Sequence, residues 1–231
     1  MASSKKRATS IGKKASATTK KATTRGASAA RKAKPAARAV KASPKAKPAA
    51  GKQPKRRADV PNDAAREGRL SEVRKYLAQG YDIDAQGSMD ETLLFSAVDG
   101  GQWKVFLALL EAEASIHTVN YREETPLHRA AGHGLARFVR ELLDRGADAN
   151  AVTPAGKCPL HMAGRCGRLG IKGEYPEGLP RPEKAKVIQM LLEAGADVNA
   201  EELAGRRPLW FAEHSKNGEG VQELKEAGGI E

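Results

Sequence analysis

Thr125-Pro126-Leu127-His128-Arg129-Ala130-Ala131 is followed, nineteen residues after Leu127, by Gly146-Ala147-Asp148-Ala149-Asn150-Ala151. Both halves return in phase. Thirty-three residues before Thr125 stands Thr92-Leu93-Leu94-Phe95-Ser96-Ala97, and thirty-three after it Cys158-Pro159-Leu160-His161-Met162-Ala163. The ending recurs 49 residues on as Gly195-Ala196-Asp197-Val198-Asn199-Ala200, and the opening recurs 49 after Cys158 as Arg207-Pro208-Leu209-Trp210-Phe211-Ala212. Forty-nine is one period plus 16. An upstream half-pattern starts at Asp63-Ala64-Ala65 and ends with Gly80. A fixed period of this length marks a chain of small stacked units, none of which buries its apolar face alone.

The residues fit a helix–turn–helix unit. Pro126 and Pro159 suit a first helical turn, where a missing N–H is harmless, and Thr125 suits the cap before it. Val105, Phe106, Leu109 and Leu110 fall on one face of the second helix, as do Phe138, Val139, Leu142 and Leu143, then Val187, Ile188, Leu191 and Leu192. Gly80, Gly146 and Gly195 suit left-handed C-terminal caps.

With a 33-residue period and a Thr-Pro-Leu-His opening, residues 60–231 resemble the ankyrin repeat family. The resemblance implies an all-α solenoid of two-helix repeats joined by β-turn fingers. Five repeats are expected, at about 60–86, 87–119, 120–152, 153–201 and 202–231. The 16 extra residues fall at about 168–183, between the two helices of the fourth repeat; three Gly and three Pro there read as a loop. The full opening occurs only at 125–128. Cys158, Arg207, Phe95 and Trp210 replace Thr or His elsewhere, Glu113 replaces a capping Gly and His117 a finger Asn. Weaker helix starts and a less regular finger are expected there.

Charge divides the chain in two. Residues 1–58 hold 19 Lys+Arg and no acid; residues 59–231 hold 21 Lys+Arg against 28 Asp+Glu. The overall +12 is thus a tail of +19 on a body of −7. The tail is rich in Ala, Ser and Thr, and among larger apolar groups has only Met1, Ile11 and Val40. It cannot bury enough surface to offset ordering entropy, so it is expected to be disordered. Its Lys/Ala/Pro composition is similar to the tails of linker histones and bacterial histone-like proteins, which implies non-specific DNA or RNA binding. The cations assigned to that role are Lys5, Lys6, Arg7, Lys13, Lys14, Lys20, Lys21, Lys32, Lys34, Lys45, Lys47, Lys55, Arg56 and Arg57. With no aromatic residue, the tail cannot stack on bases. A solubilising or targeting tail, an anionic-lipid tether, and a tail that docks on the acidic body stay open.

Two Cys rule out a disulfide framework, and no apolar run is long enough to span a membrane. An intracellular monomer is expected. Cys158 and Cys166 on one straight helix would lie about 12 Å apart along the axis, too far to share a metal with His161. No catalytic, cofactor or metal motif is found, so an enzyme is not expected. The resemblance instead implies a protein-binding scaffold whose concave side, built from fingers and first helices, meets the partner. By phase that side takes Met89, Tyr121, Arg122, Glu124, His133, Lys157, Arg165, Arg206 and His214. Ser88, Glu91, Pro154 and Leu203 flank them.

Overall fold

The computed structural model describes residues 60–165 and 183–230. Ten helices alternate with turns: α1 Asn62–Glu67, α2 Leu70–Ala78, α3 Leu93–Asp99, α4 Trp103–Glu111, α5 Pro126–His133, α6 Ala136–Asp144, α7 Pro159–Gly164, α8 Lys184–Glu193, α9 Pro208–His214 and α10 Gly218–Glu226. The odd-numbered helices stack in one row, α1 on α3, α5, α7 and α9; α6, α8 and α10 stack in the second row. Phe138 ties α6 to α4, its ring 4.7 Å from Phe106 and 5.1 Å from Trp103. Phe106, Leu127, Leu160, Ile188 and Leu209 lie at the centre of the apolar core, and Phe95, equally buried, lies under the Arg129 guanidinium at 5.1 Å. The apolar faces read from the sequence are thus the ones removed from water, which is the main stabilising term of such a stack.

Helix starts follow the residues present. At α5, Thr125 Oγ1 accepts from the His128 N–H at 3.4 Å, and His128 Nδ1 accepts from the Thr125 N–H at 3.2 Å. At α3, Thr92 caps Phe95 at 3.4 Å, but Phe95 cannot return the bond. At α7, His161 Nδ1 accepts from the Cys158 N–H at 3.1 Å, so this arm of the reciprocal cap is kept with Cys in place of Thr. Arg207 gives α9 no side-chain cap, and Pro208 alone shapes its first turn. Glu113 does stand in for glycine: its φ is 62°, beside 87° at Gly146. A left-handed conformation costs an ordinary residue about 1–2 kcal/mol.

The loops after the second helices are bonded into a ladder. Asn150 Nδ2 donates to Gly195 O at 2.8 Å while its Oδ1 accepts from Asp197 N at 2.9 Å. Asn199 repeats this on Gly228 O and Ile230 N, at 3.2 and 3.0 Å. Asp84 makes the accepting half only, to Ser115 N at 2.9 Å. His117 occupies the same phase and is exposed, and neither of these cross-repeat bonds forms from it. His117→Asn is therefore expected to restore the rung to Gly146 and Asp148 and raise stability by about 1 kcal/mol. A chemical melt checks this; an unchanged or lowered midpoint would show that the loop there has a different path.

The insertion expected at about 168–183 lies, but for Glu183, outside the described residues. Its flanks are pinned to the end of α5. The Glu183 N–H donates to Gly134 O at 2.9 Å, and buried Lys184 donates to Gly132 O, to Ala131 O at 3.4 Å and to Arg165 O at 3.0 Å. A lysine ammonium among the last carbonyls of a helix is favoured by their partial negative charge.

Candidate protein-binding face

One face of the array is made by the odd-numbered helices and the turns that precede them. These turns form fingers joined by main-chain bonds. The Tyr121 N–H donates to Met89 O and the Leu203 N–H to Ala155 O, both at 3.1 Å. Pro154, at the corresponding place in the finger between them, has no N–H to give. Met89 and Glu123 carry φ of 59° and 56° at the tips. The tips present apolar surface to water: Met89 is 63% exposed, Tyr121 49% and Leu203 80%. Arg122 is exposed and lies over the Tyr121 ring at 5.1 Å.

Towards the first repeats this face is an ion network. Arg66 pairs with Glu91 at 2.8 Å and Asp99 at 3.3 Å; Arg129 pairs with Asp99 at 3.4 Å and Glu124 at 3.3 Å. His133 Nε2 lies 3.1 Å from Asp99. Burial and the nearby Asp99 charge push the Glu91 carboxyl above its usual range, against Arg66 and Arg129. Burial also pushes Asp99 up, but the His133 bond and the two arginines outweigh it and hold Asp99 low. Glu124 and His133, expected on exposed positions, are instead buried, at 7% and 8% exposure. Glu124 is taken up by Arg129 and by Asn120 Nδ2 at 3.1 Å, and His133 by Asp99. His133 and buried Glu91 bind neighbouring repeats together, through Asp99 and Arg66, whereas Glu124 is held within its own repeat. Spacing along one repeat does not reveal the pairs of His133 and Glu91, whose partners sit 34 and 25 residues away.

Towards the last repeats the face is aromatic and cationic. The Arg206 guanidinium lies 4.7 Å from the Trp210 ring centroid and 5.3 Å from that of Phe211. Lys157 Nζ approaches Phe211 at 5.8 Å. His214 stacks on Trp210 at 3.9 Å and bonds through Nδ1 to Trp210 O at 2.9 Å. Arg206 Nε donates to Glu202 at 2.6 Å; that bond, outweighing burial, holds the carboxyl below its ordinary range, and Lys157 adds to it. Arg165, exposed, ends α7 beside this group. Gly164 lets the two helices meet, since a Cβ there would stand 2.7 Å from Pro208 O.

Of the residues expected from phase, Lys157, Arg165, Arg206 and His214 therefore gather at one end, and Met89, Tyr121 and Arg122 lie on the fingertips. Trp210 and Phe211 join them, although the sequence marked Trp210 only as a departure from the repeat. A half-buried Trp where neighbouring repeats have His was the available signal. The tail cations lie outside the described residues, as does Cys166. Cys158 Sγ is 3.0 Å from His161 Nδ1, and burial pushes the thiol up, which leaves it a packed, unreactive group. Among the described residues no three His, Cys, Asp or Glu converge to hold a metal, and no helix is long and apolar enough to cross a membrane.

A family model of ankyrin repeats, in three copies, matches residues 62–153 and 105–172. Over 63 residues the chain is 43% identical to the mouse Ankyrin repeat domain-containing protein 37, covering 27% of this chain and 40% of that protein. Over 95 residues it is 32% identical to an ankyrin repeat protein of fowlpox virus, covering 41% of this chain and 66% of that one. It is also 34% identical over 107 residues to the Neurogenic locus Notch protein of Drosophila melanogaster, of which that match is 4%. The chain thus spans less than two thirds of each of these relatives. On these matches the helical body belongs to the ankyrin repeat family, a protein–protein interaction module.

Proposed function

We propose that the chain is an adaptor: the finger-side face of residues 59–231 holds a protein partner, and residues 1–58 hold the pair to nucleic acid without sequence preference. The observation that carries the protein half is the exposure of Met89, Tyr121 and Leu203 on fingers that main-chain bonds join in pairs. Large apolar groups held out in water, flanked by Arg and Trp, are the usual anchors of a protein interface. The tail half is supported by 19 cations without an acid. Each phosphate contact gives a salt slope of about −0.9, so ten engaged cations give a slope of about −9.

Two measurements test the two halves separately. Fluorescence anisotropy with a 30-base-pair DNA should show affinity falling at least a hundredfold when residues 1–58 are removed, and equal binding by the shortened chain would refute the tail assignment. Cross-linking in cell extract should capture a partner that is lost with Tyr121→Ala/Trp210→Ala and kept with Lys104→Ala/Arg137→Ala on the opposite helices. A partner indifferent to the first pair would place binding elsewhere.

A further inference from the structure

The finger-side face is uneven in charge, and the unevenness describes a partner. In the first three repeats Glu91, Asp99 and Glu124 are neutralised by Arg66 and Arg129. In the last repeats the carboxylates near the aromatic group are already engaged: Glu202 with Arg206, Glu201 with Arg207 at 2.5 Å, and Glu213 with Lys225 at 3.0 Å. Lys157, Arg165 and Arg122 form no ion pair with any described residue. Lys157 is held over Phe211, Arg122 over Tyr121, and the Arg165 side chain is exposed. Glu123, exposed beside Arg122, is the carboxylate a partner would meet at that fingertip. At the opposite end of the strip, cations sit around an aromatic platform of Trp210, Phe211 and His214.

We propose that this end of the face takes an acidic linear peptide carrying an aromatic or branched apolar residue, the apolar group resting on Trp210 and the carboxylates meeting Lys157 and Arg165. This rests on the reading of the face as a protein-binding surface and names its ligand class. Carboxylates supply the ion pairs that these two cations lack among the described residues; Glu202, whose charge Lys157 already feels, is bonded to Arg206. Arg206, fixed by Glu202, stays stacked on the rings and keeps the platform rigid. Rigid aromatic and guanidinium groups lose little entropy on binding. The chain's own N-terminal tail does not fit, because its 19 cations repeat the sign of the site. The wrong partner is thereby repelled, which is how charge confers specificity.

The probe is a displayed library of random twelve-residue peptides, selected on the full-length chain and counter-selected on full-length Lys157→Glu/Arg165→Glu, which removes peptides held by the tail. Survivors should be rich in Asp and Glu with an aromatic or branched apolar residue. Their affinity should fall about tenfold or more with Arg165→Glu alone. It should fall by at least as much with Trp210→Ala. Arg165→Glu alters an exposed side chain, and an unchanged melting temperature confirms its fold. Survivors that are neutral or basic, yet depend on Trp210, would overturn the acidic ligand while leaving the protein-binding face standing. No survivor sensitive to either substitution would overturn both. A DNA duplex displaced from this surface by Arg165→Glu would also overturn the proposal in favour of nucleic acid.

Discussion

Gly100→Ala is expected to detach the first helix pair from the array, destabilising it by about 3 kcal/mol, while the later repeats stay folded. A Cβ at residue 100 would lie 1.9 Å from Arg66 O and 2.7 Å from Arg66 C. Both atoms are main chain in α1, so no rotamer change can make room. The backbone at residue 100 has φ −83°, which any residue adopts, so the effect is one of space alone. Because each repeat touches only its neighbours, the loss stays at the end of the stack. It also separates Arg66 from buried Glu91 and half-buried Asp99, leaving those acids to Arg129 and His133. A separate early transition on heating, with fast amide exchange confined to residues 62–78, is the expected signature. Gly80→Ala is the control: φ there is 77° but nothing lies within 4 Å, so about 1 kcal/mol of backbone strain is the whole effect. If Gly100→Ala proves no worse than Gly80→Ala, the close approach of α1 and α3 is wrong.

The same glycine marks the boundary of what the sequence could tell. Helix pairs, their apolar faces and the place of Glu113 follow from period and local chemistry, because each depends on residues within one turn or one repeat. Gly68, Gly101 and Gly134 also recur at 33 and share positive φ, with Lys216 filling that turn in the last repeat at 59°. That period is legible in the sequence, alongside the endings at Gly146 and Gly195. Gly100 is different: nothing near it in sequence requires glycine, and only the stacking distance of α1 does. Glu124 and His133 fail for a related reason. Phase puts them on the finger side, but whether a side chain there is free depends on which charges the folded stack brings to it. Arg129 of its own repeat claims Glu124, and Asp99 of the repeat before claims His133; Arg165 and Lys157 form no ion pair with a described residue. In the proposed function the binding residues are those the stack leaves without an ion pair, a property of the assembled charges rather than of the motif.

His128 shows how much one such cross-repeat contact carries. His128→Ala is expected to cost about 3–4 kcal/mol, measured by chemical denaturation. The ring is fully buried, accepts from the Thr125 N–H through Nδ1 at 3.2 Å, and therefore carries its proton on Nε2, which donates to Lys157 O at 3.0 Å. Truncation opens a cavity, leaves the Thr125 donor and the Lys157 acceptor unpaired, and loosens the backbone that presents Lys157 to the binding face. His161 repeats the arrangement one repeat on, with Nε2 3.2 Å from Arg206 O. Burial pushes both imidazoles below their ordinary range, more than the carbonyl bonds and nearby Glu124 and Glu202 raise them. The unfolded chain thus takes up protons near pH 6.5 that the folded one refuses, so the stability these residues give is complete above that pH and declines as pH falls below it. Asp99 and Glu202, held low, lose their contributions only in the more acidic carboxylate range, where Asp84 and Glu91, held high, act in the opposite direction. Between pH 7.5 and 5.5 the melting temperature should therefore drop by several degrees, and His128→Gln/His161→Gln should flatten that drop while lowering stability at both ends. An equal drop in the double variant would mean the two histidines are not its source. Because both rings bond the backbone of Lys157 and Arg206, acid should loosen the cationic end of the face before it unfolds the array.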